Sequence, residues 1–437
     1  MAFMHGSSVE GMSTELDLWI DKVVQSAQEK STTQQYNAIA NFDTADTLEF
    51  DIPGVGYAYP DMAQVYLYTK QKIVNGDGSD ITAADQSDAT LVNYGFHAMW
   101  SQIDLCINGT ITSQSSMTYP YRAYIEAKLN YGRDAKETHL QQRLWYEDTP
   151  GHFDSLDGAE NHGLASRRAI TANSKVFEMK GPLHLDMSNV DRLLLNNCNI
   201  RLKLTRNRDA FVLMSTRGTE KIKLLDAKLY IRKATISPSV LLAHARALEK
   251  APAKYPVNRV DIKIVTLAQG VRDKAIDNLF PTHLPMRFVV GFVDNRAFNG
   301  DCRRNPWNFQ HFNVSSIQAQ TDGGPIPSQP LTPDYANDLY MDCYDTLFTG
   351  TGIHWKDEGN HINWREYARG TALYAFDLSP DLSASSSHWN LQRQGSLRID
   401  VRFAAPLAAP VNAIIYAEFQ NLIEIDKDRN IITDFSV

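Results

Sequence analysis

The sequence predicts an all-β chain made of two similar β-sandwich halves, and three observations carry that prediction. Alternating apolar and polar segments dominate from Thr47 onward, helical periodicity is confined to a few short stretches, and one pattern occurs twice. Ser101–Gly109 and Ser315–Gly323 each alternate (Ile103, Leu105, Ile107; Ile317, Ala319, Thr321) and end in Asn-Gly or Asp-Gly, a strong hairpin signal. The offset, 315 − 101 = 214, is about half of the 437 residues. After each turn come a polar stretch, a proline and a helical segment opening near Tyr121 or Tyr335. The same offset carries Leu48, Phe50 and Ile52 onto Ile262, Ile264 and Thr266, which extends the repeat upstream.

The first thirty or so residues are rich in Ser, Thr, Gln and Glu and read as an arm, in which Leu16–Val24 could dock on a neighbour. Strands follow at Leu48–Ile52 and Val65–Tyr68, then a helix over Asp88–Trp100, the Asn108-Gly109 hairpin and a helix near Tyr121–Tyr131. Gly132–Asn173 is polar, with scattered Gly and His, and reads as an extended loop. Strands resume at Leu183–Met187, Ile200–Thr205 and Lys221–Thr235. Pro238–Glu249 reads as a helix capped by Ser237 and marks the domain boundary.

The second half repeats the plan: strands at Val260–Ile264 and Met286–Phe292, the Asp322-Gly323 turn, a helix over Pro333–Leu347 and a long loop over Thr349–Gly370. Leu397–Phe403, Val411–Phe419 and Ile423–Ile425 are the last strands. Helices are too few and too irregularly placed for βαβ winding. Short alternating strands with long loops suggest a jelly roll in each half.

A formal charge of −8 without a run of Lys or Arg argues against a protein that coats nucleic acid. Cys106, Cys198, Cys302 and Cys343 are widely spaced and read as free thiols. Met1–Met12 lacks the apolar core of a secretory signal, and Phe403–Phe419 is broken by Pro406, Pro410 and Asn412, so the chain reads as soluble.

No motif commits the chain to chemistry. Gly54-Val-Gly56 departs from a dinucleotide loop at Pro60-Asp61 and reads as a turn. Asp426-Lys-Asp428-Arg-Asn430 imitates half a calcium loop, but Ile431 stands where glycine is needed and Val437 where glutamate is needed. His152, His162, His354 and His361 lie in the long loops without metal spacing, and no nucleophile stands out, so no cofactor is expected. Met117–Glu126 packs Tyr119, Tyr121, Arg122 and Tyr124 around Pro120, with Trp145 and Tyr146 downstream. Two readings stand for these residues: a buttressed corner with Arg122 paired to a carboxylate, or a subunit contact. A sugar-binding platform is a third.

Several stretches resemble the major capsid proteins (hexons) of Polinton (Maverick) elements and adintoviruses. They are Met117–Glu126 with Tyr131-Gly132; Leu144–Thr149; Gly181–Asp186 through Asp191–Asn196 to Asp209–Met214; Pro306–Phe312; and Phe376–Asp381 through Ala417–Asn421 to Ile425-Asp426, in consistent order from about residue 45 to the C-terminus. Met1–Leu18 also resembles the family's opening, whereas Trp19–Gln35 diverges. The resemblance implies a double jelly roll, two eight-stranded barrels in one chain with short helices in the loops. On this basis residues 1–35 form an N-terminal arm, 36–236 the first jelly roll and 237–437 the second.

The resemblance further implies a non-enzymatic virion protein that assembles inside the host cell. It would form homotrimeric, pseudo-hexameric capsomers of an icosahedral shell, contacting neighbouring capsomers, penton and other minor capsid proteins without sequence-specific nucleic-acid binding. Gly132–Asn173 and Thr349–Gly370 would then be tower or intersubunit loops. The alternative is a two-domain jelly-roll protein that binds or hydrolyses carbohydrate, which requires paired carboxylates facing a cleft.

Overall fold

The computed structural model describes residues 11–19, 21–39, 42, 45–114, 116–386 and 388–435. The strands are β1 Gln28–Asn37, β2 Thr47–Ile52, β3 Ala58–Val74, β4 Thr90–Leu91, β5 Trp100–Ile107, β6 Thr110–Gln114, β7 Phe177–Pro182, β8 Ile200–Arg206, β9 Leu213–Met214 and β10 Lys221–Ile236 in the first half. In the second half they are β11 Ala253–Leu267, β12 Asp273–Ile276, β13 Arg287–Asp294, β14 Val314–Thr321, β15 Gly324–Leu331, β16 Leu373–Asp377, β17 Arg398–Phe403, β18 Val411–Ile425 and β19 Ile431–Thr433.

Each half is a jelly roll. The first packs the sheet β1-β10-β3-β7 on the sheet β2-β8-β5-β6, and the second packs β11-β18-β13-β16 on β12-β17-β14-β15. All pairings within these sheets are antiparallel. The alternation read from sequence has the expected cause: Leu48, Phe50 and Ile52 point inward on β2, and Leu202 and Leu204 meet them from β8. One apolar cluster runs through both rolls. Edge strand β15, sequence Gly-Pro-Ile-Pro-Ser-Gln-Pro-Leu, carries three prolines that remove ladder donors and blunt the edge.

The two hairpins β5–β6 and β14–β15 occupy the same position in their rolls, as the 214-residue offset requires. Their turns differ. Asn108 (φ 48°) and Gly109 (φ 83°) are both left-handed, the twist-matched hairpin geometry, whereas in the second turn the positive φ falls on Gly324 (116°). The upstream extension of the repeat does not hold: Leu48–Ile52 lies in β2, whose counterpart is β12, while Ile262–Thr266 lies in β11, the counterpart of β1. Two alternating segments coincided in sequence at positions that the fold does not equate.

Other differences follow from burial. The arm does not extend to residue 35, because Gln28–Asn37 is strand β1, paired along its length with β10. It is an almost wholly exposed polar edge strand, so backbone pairing holds it and no apolar alternation announces it. Asp88–Trp100 contains β4 and a single helical turn, Gly95–Ala98, instead of one helix. Gly132–Asn173 is folded, with helices at Arg133–Glu137 and His162–Thr171 and a 3-10 segment at His139–Arg143.

Pro333–Leu347 divides into a 3-10 turn, Tyr335–Asn337, and a helix, Met341–Thr349. Leu183–Met187 lies beyond β7, outside a strand. The helix Pro238–Leu248 joins the rolls, but Ser237 makes no side-chain cap and Pro238 supplies the first-turn preference. All four cysteines are free, Cys198 and Cys343 being buried.

Candidate assembly surfaces

The helix Tyr119–Asn130 begins with Pro120 in its first turn and is buried from Tyr119 to Leu129. A helix buried on every side needs neighbours all round, and the second roll supplies several. Tyr124 stacks on Trp307 with ring centroids 4.5 Å apart and planes within 2°, and also stacks on Trp145 at 5.5 Å. Tyr121 meets Trp307 edge-on at 5.4 Å and Phe298 face-on at 5.8 Å. The Trp307 indole donates to the Asn93 carbonyl at 2.7 Å, so its polar edge is satisfied in the first roll. Phe309 lies over β13 at Gly291, where a Cβ would come within 2.5 Å of its ring.

Around this aromatic plug runs a buried charge network. Arg122 bonds Glu126 at 2.9 Å and Asp186 at 2.8 Å. Glu126 also contacts His184 at 2.5 Å and accepts from the Tyr416 hydroxyl of β18 at 3.3 Å. Tyr416 donates as well to Glu418, which Arg287 holds at 2.8 Å. Asp186 accepts the Val260 amide of β11 at 3.3 Å. Burial pushes the Glu126 carboxyl up, but Arg122 and then His184 outweigh it and hold the pKa at about 2.

A second network joins Arg167 to Asp148 at 2.6 Å, and Asp148 to Asn161 and Asn305 at 2.9 and 2.8 Å. Lys128 bonds Glu147 at 2.9 Å. Burial raises the Glu147 pKa, but Lys128 and Lys136 lower it further, to about 2.

Of the six residues singled out from sequence, Tyr119, Tyr121, Arg122, Tyr124 and Trp145 are buried inside one chain and Tyr146 is half-buried. Within the chain, Arg122 is paired with two carboxylates, Glu126 and Asp186. Sequence reading missed the role of Trp307 and Asn305 as the second roll's contribution. It also missed a solvent-facing stripe on β3, β7 and β10. There Tyr66 lies opposite Tyr230, Tyr68 lies opposite Lys228, and Lys180 sits 4.7 Å from the Tyr230 ring. The outward Tyr66 and Tyr68 between inward Val65 and Leu67 were the available signal.

The loop histidines do not converge. His152 faces Glu160 at 3.4 Å, His354 faces Asp345 at 3.4 Å, and His361 faces Glu147 at 3.7 Å, while the His162 amide donates to Thr149. Among the described residues no group of three or more His, Cys, Asp or Glu could hold a metal. Asp426 is bonded by Asn430, and Arg429 crosses to Asn196 of the first roll, so this segment is a charged turn. The Gly54 amide donates to the Asn199 side chain, again in a turn.

Ser383, His388 and Asp381 cluster, but one histidine nitrogen, Nε2, faces both Ser383 (3.1 Å) and Asp381 (2.8 Å), and Ser383 itself donates to Asp381. A nucleophilic triad needs the two imidazole nitrogens on different partners. A cavity of about 890 Å³ opens beside β11 and β12 with Asp261 and Asp277 in its lining. The Arg259 guanidinium lies over its Phe419 and Phe435 rings, at 4.8 and 5.2 Å, and its third phenyl ring, Phe280, packs edge-on against Phe419 at 5.2 Å. No helix among the described residues is long and apolar enough to cross a membrane.

No protein-family model matches the chain. An uncharacterized protein of Caenorhabditis elegans is 23% identical over 406 residues, covering 90% of this chain and 94% of that protein. The solved structures it resembles include a chain of the Sputnik virophage (TM-score 0.67, 12% identity, 98% of this chain and 93% of that one). The Faustovirus major capsid protein (0.54, 9%, 93% and 92%) and the mavirus major capsid protein (0.52, 10%, 100% and 97%) share the fold as well. The likeness spans both rolls from end to end.

Proposed function

We propose that this chain is a major capsid protein, and that three copies form a pseudo-hexameric capsomer of an icosahedral viral or virus-like shell. The observation that supports this reading best is the fusion of two jelly rolls into one body through a buried aromatic and ionic junction. A shell tiled by hexagonal units needs about six similar faces round each tile, and three chains with two rolls each supply them. The full-length likeness to viral major capsid proteins agrees with it. The sequence stretches shared with Polinton and adintovirus hexons favour that lineage.

In this role the protein is structural rather than catalytic, resides in the virion, and has copies of itself, penton and other minor capsid proteins as partners. The boundary between rolls falls at the helix Pro238–Leu248, and the folded connections within 132–173 and 349–370 lie beside the junction. A glycan-binding function is disfavoured in the cleft beside β11 and β12, where Arg259 lies over the Phe419 and Phe435 rings.

The test is sedimentation velocity of the purified full chain followed by electron microscopy. A trimer of about three chain masses with a hexagonal outline is expected. A species that stays monomeric at every concentration and forms no particles contradicts the reading.

A further inference from the structure

The first sheets of the two rolls are equivalent in strand order, yet one outward face is covered and the other is open. On β13 and β18 the outward residues Val289, Tyr416 and Glu418 are buried, and the first roll's helix Tyr119–Asn130 reaches this face where Glu126 accepts from Tyr416. On β3, β7 and β10 the corresponding face shows Tyr66, Tyr68, Lys228 and Tyr230, half-exposed, and Lys180, exposed.

The segment at the same sequence offset differs in exposure. The offset that relates the hairpins carries Tyr119–Asn130 onto Pro333–Tyr344 (119 + 214 = 333; 130 + 214 = 344). The first stretch is buried from Tyr119 to Leu129, whereas in the second Ala336 to Leu339, Met341 and Asp342 are exposed. Leu339 is 66% and Met341 56% accessible, two apolar side chains close together on one exposed segment.

We infer that these two open surfaces are the halves of one contact: Pro333–Tyr344 of one copy docks on the β3-β10-β7 face of the next copy's first roll. The chain makes this contact once within itself, between rolls, and repeats it between copies. Such a head-to-tail contact is heterologous, and it closes only if the rotation per roll completes a ring. Charge agrees. Pro333–Tyr344 holds Asp334, Asp338 and Asp342 and no Lys or Arg. The receiving face holds Lys70, Lys180 and Lys228 against Glu178 and Asp226, an excess of one cation with Lys228 paired to Asp226 at 2.7 Å, and tyrosines lie between them. Tyrosine is enriched in interface cores, and charged pairs at their rims steer association.

The inference rests on the trimer reading and is tested separately from it, by sedimentation velocity of the full chain. Asp338→Lys with Asp342→Lys should raise the concentration for half-dissociation about 100-fold, as should Lys180→Glu with Lys228→Glu. Combining all four reversals should restore assembly to within about 10-fold of the original, a rescue that misfolding cannot produce. If the unaltered protein is a trimer and either pair leaves it equally stable, or the combination fails to rescue, the inference is overturned. If the unaltered protein is itself only a monomer, the trimer reading fails first.

Discussion

The sheet face of β13 and β18 and the sheet face of β3 and β10 are the same part of the same fold, solved with different chemistry. The first is paved with Val289, Ile414, Tyr416 and the Arg287–Glu418 pair, Tyr416 reaching Glu126 of the neighbouring roll and Arg287 donating to Thr351 and Ser385 of its own. The second carries lysines laid over tyrosine rings at about the distances of cation–π contacts, 4.7 Å for Lys180 on Tyr230 and 5.6 Å for Lys228 on Tyr68. A permanently covered face can use precise buried networks. A face that must remain soluble before it meets a partner needs charge spread over apolar rings, and that is the difference between the two.

Mutations should break this comparison unequally. Trp307→Ala opens a cavity against Tyr121 and Tyr124 and should cost about 3–5 kcal/mol, whereas Tyr230→Ala on the open face should cost the isolated monomer less than about 1 kcal/mol. Denaturant titration of both variants measures the gap; equal losses would erase the distinction between covered and open faces. Arg122→Met leaves Glu126 and Asp186 buried without their cation and should cost about 3 kcal/mol, while Lys228→Met should leave monomer melting nearly unchanged.

Acid should loosen the junction in two stages. Burial, then the nearby His184, lowers the pKa of His97 well below the ordinary value of 6.5, and burial lowers that of His311 to about 4. Glu126 and Glu147 sit at about 2 against an ordinary 4.5. All four folded-state values are depressed, so the unfolded chain binds more protons on the acid side. The stability these groups contribute is therefore complete above their ordinary values and is lost as pH falls. In denaturation midpoints, the contribution of these four groups should decline between about pH 6.5 and 4 and fall further between 4.5 and 2, below the separate loss between about 10.5 and 7 that burial of Lys136 produces by lowering its pKa to about 7. Glu126→Gln should flatten the lowest limb; an unchanged limb would place the acid-labile groups elsewhere.

The smallest contrast concerns the turns. Gly109→Ala forces alanine to φ 83° and should cost about 1–2 kcal/mol. At Gly323 a Cβ meets only the flexible end of Arg393 at 3.0 Å, so Gly323→Ala should change stability by less than about 0.5 kcal/mol.

Much of the fold was legible because jelly-roll strands alternate: β2, β3, β5, β10, β13, β14 and β18 all carry the inward-outward pattern or a continuous apolar run. β1 was not legible, since Gln28–Asn37 is polar on both faces and held by its neighbour's backbone. The helices within 132–173 were hidden for a related reason. Their buried side chains include Lys136, Arg143 and Arg167, which read as solvated until Glu147, Tyr94 and Asp148 are brought alongside by the fold. At the junction, the Tyr119–Tyr124 cluster announced itself by composition, but its partner Trp307 lies 183 residues after Tyr124 (307 − 124) and no local pattern links them. The open face was half-visible, in Tyr66 and Tyr68, and became meaningful only when its covered counterpart was seen.

The central claim is that one contact is made once within the chain and again between chains. A cryo-EM reconstruction of the assembled protein at side-chain detail tests it most directly. Leu339 and Met341 of one copy should lie against Tyr66 and Tyr230 of the next, in the place that the helix Tyr119–Asn130 occupies over β18. An assembly in which the β3-β10-β7 face remains open to solvent, or is covered by some other segment, would contradict the account.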